Sequence, residues 1–149
     1  MKNFYLIFML VCFMGGMVLS AKAEQKEPLI IEMLNNRGKD KMLYGQDIAK
    51  IDVGQTITWT PDSKGHNVQF VSVPEGVEKV KSKLSQEFSY TFEQEGVYLY
   101  VCTPHATMGM IGVVVVGDSD VNLDEVLGYK FRGKSKKKFK KIAKSLEGA

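Results

Sequence analysis

The stretch Tyr98–Met110, YLYVCTPHATMGM, sets a cysteine, a histidine and a methionine at the spacing C-x2-H-x4-M. The chain has 2 histidines, and the other, His66, lies in KGHNV. Taken singly each residue is ordinary: a turn histidine is usually a surface group, a methionine core filler, and a lone cysteine a small buried hydrophobe. Taken together, His66, Cys102, His105 and Met110 supply two imidazoles, one thiolate and one thioether. Two imidazoles and a thiolate in a plane, with a weak axial thioether, form a blue-copper electron-transfer site. The loop from Cys102 to Met110 can fold three of these groups around one point. His66 must come from another strand, so that a packed scaffold fixes its distance from the loop. Such rigidity keeps nuclear motion small when copper changes oxidation state, and so lowers the barrier. Around the site, Asn67 can cross-link the two segments near the Cys102 sulfur or Thr103. Pro104 removes a backbone donor and stiffens the loop.

The compartment bears on the thiol. Residues 1–23, MKNFYLIFMLVCFMGGMVLSAKA, have a basic start at Lys2, an apolar run from Phe4 to Leu19 and a small-x-small end at Ala21–Ala23. That is the pattern of a cleaved secretory signal peptide. Phe4 to Ala21 is near the lower length limit for spanning a bilayer, but Gly15, Gly16, Ser20 and the A-K-A ending favour cleavage over an anchor. Cys12 lies too deep in the apolar run for a lipid-attachment cysteine. Cleavage leaves residues 24–149, a length that suits one domain. Of the 2 cysteines only Cys102 then remains, which excludes an intramolecular disulfide. Metal ligation would remove the reactivity of such a thiol. Charge is split: residues 24–129 carry 9 Lys and Arg against 16 Asp and Glu, and residues 130–149 carry 9 against 1. Export makes a nucleic-acid role for the basic tail unattractive.

The elements that must position these groups are short strands. LIIEML (29–34) opens as an apolar strand, and NNRGKDK (35–41) reads as a loop. QTITWT (55–60) alternates with period two, PDSKG (61–65) is a turn, and HNVQFVSV (66–73) resumes the strand pattern. EFSYTF (87–92) puts Phe88, Tyr90 and Phe92 on one face. GVYLYVC (96–102) and IGVVVVG (111–117) are apolar runs bounded by glycine. Strands at this spacing predict an all-β sandwich or barrel. The tail, 120–149, predicts two helices: one capped by Asp120, and one capped by Ser135 with Phe139, Ile142, Ala143 and Leu146 forming an apolar stripe. Its nine basic residues between Lys130 and Lys144 then face mainly outward.

With MLNNRGKDKM, KGHNV, GVYLYVCTPHATMGMIGVVVVGD and NLDEVL in view, the chain resembles the pseudoazurins, small periplasmic blue copper proteins. The likeness covers nearly all of residues 28–149. It implies a Greek-key cupredoxin β-sandwich with two C-terminal α-helices, and one copper ion held by His66, Cys102, His105 and Met110. It also implies that Asn67 is the family's outer asparagine and that Asn35 and Met42 lie near the site. A monomer that carries single electrons in the periplasm is expected. Its donor would be a c-type cytochrome, and its acceptor a copper nitrite reductase, a cytochrome c peroxidase or another reductase. No nucleic acid is expected as a partner, nor a membrane once the leader is cleaved. Two departures bear on the partner rather than on the chemistry: Val101 and Ala106 stand where the family often has a lysine and an aromatic residue. Of the basic ring linked with docking there remain Arg37, Lys39, Lys41 and Lys64. The electron is expected to cross at His105, in an apolar patch with Met42, Pro104, Met108 and Gly109.

Three other readings use the same residues. A copper carrier or storage protein would need an exchange-ready site, often with a flexible run of methionines or histidines. A hydrolase with a Cys102–His105 pair would need the thiolate free for attack. Zinc would accept cysteine and histidine, but gains nothing from a long axial methionine.

Overall fold

The computed structural model describes residues 26–118 and 120–148. The expected signal peptide, 1–23, lies outside the described residues. The strands are β1 (Leu29–Arg37), β2 (Asp40–Tyr44), β3 (Ile48–Ile51), β4 (Thr56–Pro61), β5 (Gln69–Ser72), β6 (Phe88–Thr91), β7 (Gly96–Val101) and β8 (Ile111–Val116). Two helices follow, α1 (Leu123–Leu127) and α2 (Gly133–Glu147). One sheet runs β2-β1-β4-β6 and the other β3-β8-β7-β5. The pairs β1–β4 and β3–β8 are parallel, and the remaining pairs antiparallel. The sandwich with C-terminal helices is the architecture expected from the sequence.

Strand periodicity makes two cores. Facing the first sheet, β7 sends in Tyr98 and Tyr100 and β8 sends in Val114 and Val116. These pack with Ile31, Tyr44, Trp59 and Phe70. The alternate residues Val97, Leu99, Val101, Ile111 and Val113 face the helices, meeting Val126, Phe139, Ile142 and Leu146. The valine strand is thus covered on both faces, which suits its unbroken apolar run. Gly112 sits opposite Tyr100, and a Cβ there would lie 2.4 Å from the Tyr100 hydroxyl. The absent side chain leaves room for the ring.

Several boundaries differ from the expectation. Residues 35–41 are not a loop: β1 runs on to Arg37 and β2 begins at Asp40, with Gly38 at φ 60° in the turn. Their side chains are exposed, so no apolar alternation marks them. β3 carries no strong signal in only four residues. Residues 66–68 precede β5 rather than belonging to it. Asp120 does not cap α1 through its side chain; its carbonyl accepts from the Leu123 N–H at 2.8 Å. Instead Asn122 lies buried and pairs both ways with the Val97 backbone, at 2.8 Å each, which fastens the helix entry to β7. Ser135 is not the cap of α2 either; it lies inside the first turn and is fully buried. The stripe Phe139, Ile142 and Leu146 is buried as expected, with Ala143 at its half-buried margin.

Candidate metal centre

The β7–β8 pairing builds half of the site. Val101 opposes Ile111, and the Cys102 N–H donates to the Met110 carbonyl at 3.0 Å, so these two residues close the ladder opposite each other. Counting by twos from Tyr98 and Tyr100 places Cys102 on the inner face, and both Cys102 and Met110 are fully buried there. Between them Thr103–His105 forms one 3-10 turn, with Pro104 in its first positions. The His105 N–H donates to the Cys102 carbonyl at 3.0 Å, and the Met108 N–H to the His105 carbonyl at 2.9 Å.

His66 arrives from the segment between β4 and β5. Its carbonyl accepts from the Ser85 N–H at 2.8 Å, and the Gly65 N–H donates to Ser85 Oγ at 2.8 Å. Next to it, fully buried Asn67 joins the two ligand-bearing segments. Its Oδ1 accepts from the Thr103 N–H at 2.9 Å and from Thr103 Oγ1 at 2.7 Å, and its Nδ2 donates to the Ser82 carbonyl at 3.3 Å. The expected cross-link is therefore made to Thr103. Tyr44 adds a bond the sequence did not announce, its hydroxyl donating to the Asn67 carbonyl at 2.7 Å.

The nitrogens face inward for a chemical reason. His66 Nε2 lies 2.9 Å from Asn35 Oδ1. An amide oxygen only accepts, so Nε2 carries the proton and Nδ1 presents its lone pair. That Nδ1 is 3.2 Å from His105 Nδ1 and 3.7 Å from Cys102 Sγ, while His105 Nδ1 is 3.4 Å from the same sulfur. The three residues offer ligand atoms all within 4.8 Å of one another. Two nitrogens at about 2.0 Å and a sulfur at about 2.3 Å from one ion, in a trigonal plane, would stand about 3.5–3.7 Å apart. The side chains present match such an ion to within about 0.3 Å, an adjustment that small side-chain shifts supply.

Electrostatics point the same way. Burial, and then the neighbouring His105, push the His66 imidazole below its ordinary value, so at neutral pH it is uncharged and ready to ligate. Burial pushes the Cys102 thiol up, opposed in part by backbone N–H groups of Asn67 and His105 aimed at the sulfur. A metal must therefore displace a proton from Cys102, and binding strengthens as pH rises.

Of the sequence-predicted residues, His66, Cys102 and His105 converge, and Met110 is buried on the same inner face as Cys102. His105 is half-buried, and Pro104 and Met108 are exposed beside it on the loop. Gly109, expected in the surface patch, is buried instead. Arg37, Lys39, Lys41 and Lys64 are all exposed. Ser82 and Ser85 support the His66 segment but carried no usable sequence signal, and Ser135, whose residue type read as a helix cap, bonds the Ala106 carbonyl instead.

Comparison with known proteins sets this geometry in a family. Residues 31–117 match the family of copper binding proteins described as plastocyanin/azurin. Pseudoazurin from Methylorubrum extorquens is 36% identical over 100 residues, which span 66% of this chain and 68% of the relative. The crystal structure of pseudoazurin from Methylobacterium extorquens AM1 superposes with a TM-score of 0.77 at 30% identity, covering 80% of this chain and 99% of that one. The pseudoazurin of Hyphomicrobium denitrificans gives 0.74 at 35% identity, over 80% and 98%. The chain belongs to the pseudoazurin family. Pseudoazurins are type 1 copper electron carriers, so one copper ion is the cofactor here, and electron transfer rather than catalysis is the activity.

Proposed function

We propose that His66, Cys102, His105 and Met110 are the four copper ligands, and that the exported chain shuttles single electrons between periplasmic redox proteins. The observation that carries the ligand assignment is the closed triangle of His66 Nδ1, His105 Nδ1 and Cys102 Sγ, with the His66 tautomer set by Asn35. When bound, copper supplies a one-electron couple between Cu(I) and Cu(II). The chain's own part is to hold that ligand set still. Asn35 fixes the His66 ring, Asn67 ties Thr103 to the His66 segment, and the β7–β8 ladder sets Cys102 against Met110. Backbone N–H groups aimed at the Cys102 sulfur favour its thiolate form.

The half-buried edge of His105 is where a partner's redox centre comes nearest, flanked by exposed Pro104 and Met108. A small apolar contact excludes water yet releases the partner quickly, as befits redox encounters burying under about 1,200 Å². Beside Met108 a cleft of 1040 Å³ opens between the β1–β2 hairpin and α2, lined by Arg37, Lys39, Lys41, Lys134, Lys137 and Lys141. This supports an acidic partner surface, steered by charge over a Debye length of about 8 Å in physiological salt. A c-type cytochrome is the proposed donor. A copper nitrite reductase or cytochrome c peroxidase is the proposed acceptor. Stopped-flow oxidation of the reduced protein by each candidate, over a range of ionic strength, tests the pairing. The true partner should react fast and slow down as salt rises, whereas a second-order rate unaffected by salt would defeat the docking reading. Rapid release of copper to an acceptor protein, without reversible oxidation, would favour a copper carrier instead.

A further inference from the structure

We propose that the first turn of α2 is a clamp that positions the ligand loop, with Ser135 as its positioning residue. This rests on reading residues 102–110 as the ligand carrier. The sheet ladder ends at Cys102 and Met110, and the bonds from His105 to Cys102, Met108 to His105 and Met110 to His105 all lie inside the loop. They make it stiff, but they do not fix where it stands. Two outside anchors do. On one side Thr103 is held by Asn67. On the other, Ser135 Oγ donates to the Ala106 carbonyl, and the Lys134 N–H donates to the Thr107 carbonyl at 2.8 Å. His105 lies between the two anchors.

The residue choices in α2 fit this task. Ser135 continues the buried stripe of Phe139, Ile142 and Leu146, and is itself 0% exposed. An aliphatic side chain would satisfy packing there, while a buried hydroxyl is costly unless it is bonded. Gly133 has φ 59°, and a Cβ on it would stand 2.4 Å from the Thr107 carbonyl oxygen. Glycine thus permits the close approach of loop and helix. Helix starts leave N–H groups without partners, and no side chain caps α2. The Thr107 carbonyl takes one of those donors, so the loop caps the helix while the helix holds the loop. The helix in turn is fixed by its apolar stripe on the outer face of β7 and β8, and by Lys138 Nζ to Asp47 Oδ1 at 2.6 Å.

Ser135→Ala tests the clamp, with Leu146→Ala as a control that weakens helix packing away from the loop. Amide exchange of the apo-protein is measured at residues 105–110 and along β7 and β8. Loss of one hydrogen bond predicts that loop amides exchange about tenfold faster in Ser135→Ala while β7 and β8 do not change. After copper loading, the same variant should show a shifted thiolate-to-copper(II) band and a changed reduction potential. Leu146→Ala should raise exchange along the strands and leave the band in place. Gly133→Ala should reproduce the Ser135→Ala pattern. Ser135→Ala with loop exchange that is unchanged, or that rises only in step with β7 and β8, overturns the clamp. An unshifted band in Ser135→Ala overturns it as well. Should the wild-type chain itself lack the band, the copper reading falls, and loop exchange alone judges the clamp.

Discussion

Asn67→Ala should both destabilise the apo-protein and loosen its metal site, by amounts the structure sets. Asn67 Oδ1 accepts two bonds from Thr103, at 2.9 and 2.7 Å, and Nδ2 donates one at 3.3 Å. At about 1 kcal/mol for each good bond, and less for the longest, truncation should cost roughly 2–3 kcal/mol. Thr103 is exposed, so in Thr103→Val water can take up much of the bonding the hydroxyl gave, and the cost should be about 0.5–1 kcal/mol. The two changes remove one shared bond. A double-mutant cycle by urea unfolding of the apo-proteins should therefore fall short of additivity by about 0.5–1 kcal/mol. Copper affinity, read by chelator competition, should drop roughly 10–100-fold in Asn67→Ala. Additive costs, together with unaltered copper affinity, would refute the idea that Asn67 couples the ligand segments.

Three further outcomes are expected. Asn35→Leu removes the acceptor for His66 Nε2, and should lower copper affinity roughly 10–100-fold by releasing the ring orientation; isothermal titration checks this. Gly112→Ala drives a methyl into the Tyr100 ring at 2.4 Å, and should cost about 1–3 kcal/mol by overpacking, measured as a lowered urea midpoint. Burial, and then the nearby Tyr90, push Tyr98 up to about 12 from an ordinary value of 10.0, and its hydroxyl donates to the Gln94 carbonyl at 2.8 Å. The folded value lies above the unfolded one. Its stabilisation is thus whole below pH 10 and lost as pH climbs through about 12; denaturant melts across that range should show the decline, and Tyr98→Phe should lessen it, leaving the share that Tyr44, Tyr90 and Tyr100, also raised by burial, contribute.

The site was legible where chemistry is rare and periodic. His66 and His105 are the 2 histidines of the chain, and Cys102 directly follows an unbroken apolar strand. The Phe139, Ile142 and Leu146 stripe was equally plain, because burial against one sheet imposes the helical period. Less could be read where side chains meet water. The hairpin of β1 and β2 past Asn35 has exposed side chains, so its pairing is a backbone matter and its composition resembles a loop. Asp120 and Ser135 had the residue types of caps. Instead Asn122 pins the start of α1 to the Val97 backbone and the Thr107 carbonyl caps α2, both through contacts distant in sequence. Long-range pairing of that kind leaves no local pattern. The same holds for Asn35 and its bond to His66 across 31 positions: the family likeness placed Asn35 near the site, and nothing in the spacing named its partner.

The most direct measurement is the visible spectrum of the protein loaded with one equivalent of copper(II), beside Cys102→Ser. An intense thiolate-to-copper band in the wild-type protein, absent in Cys102→Ser, is the predicted result. A colourless wild-type protein that has nonetheless bound copper would contradict the account.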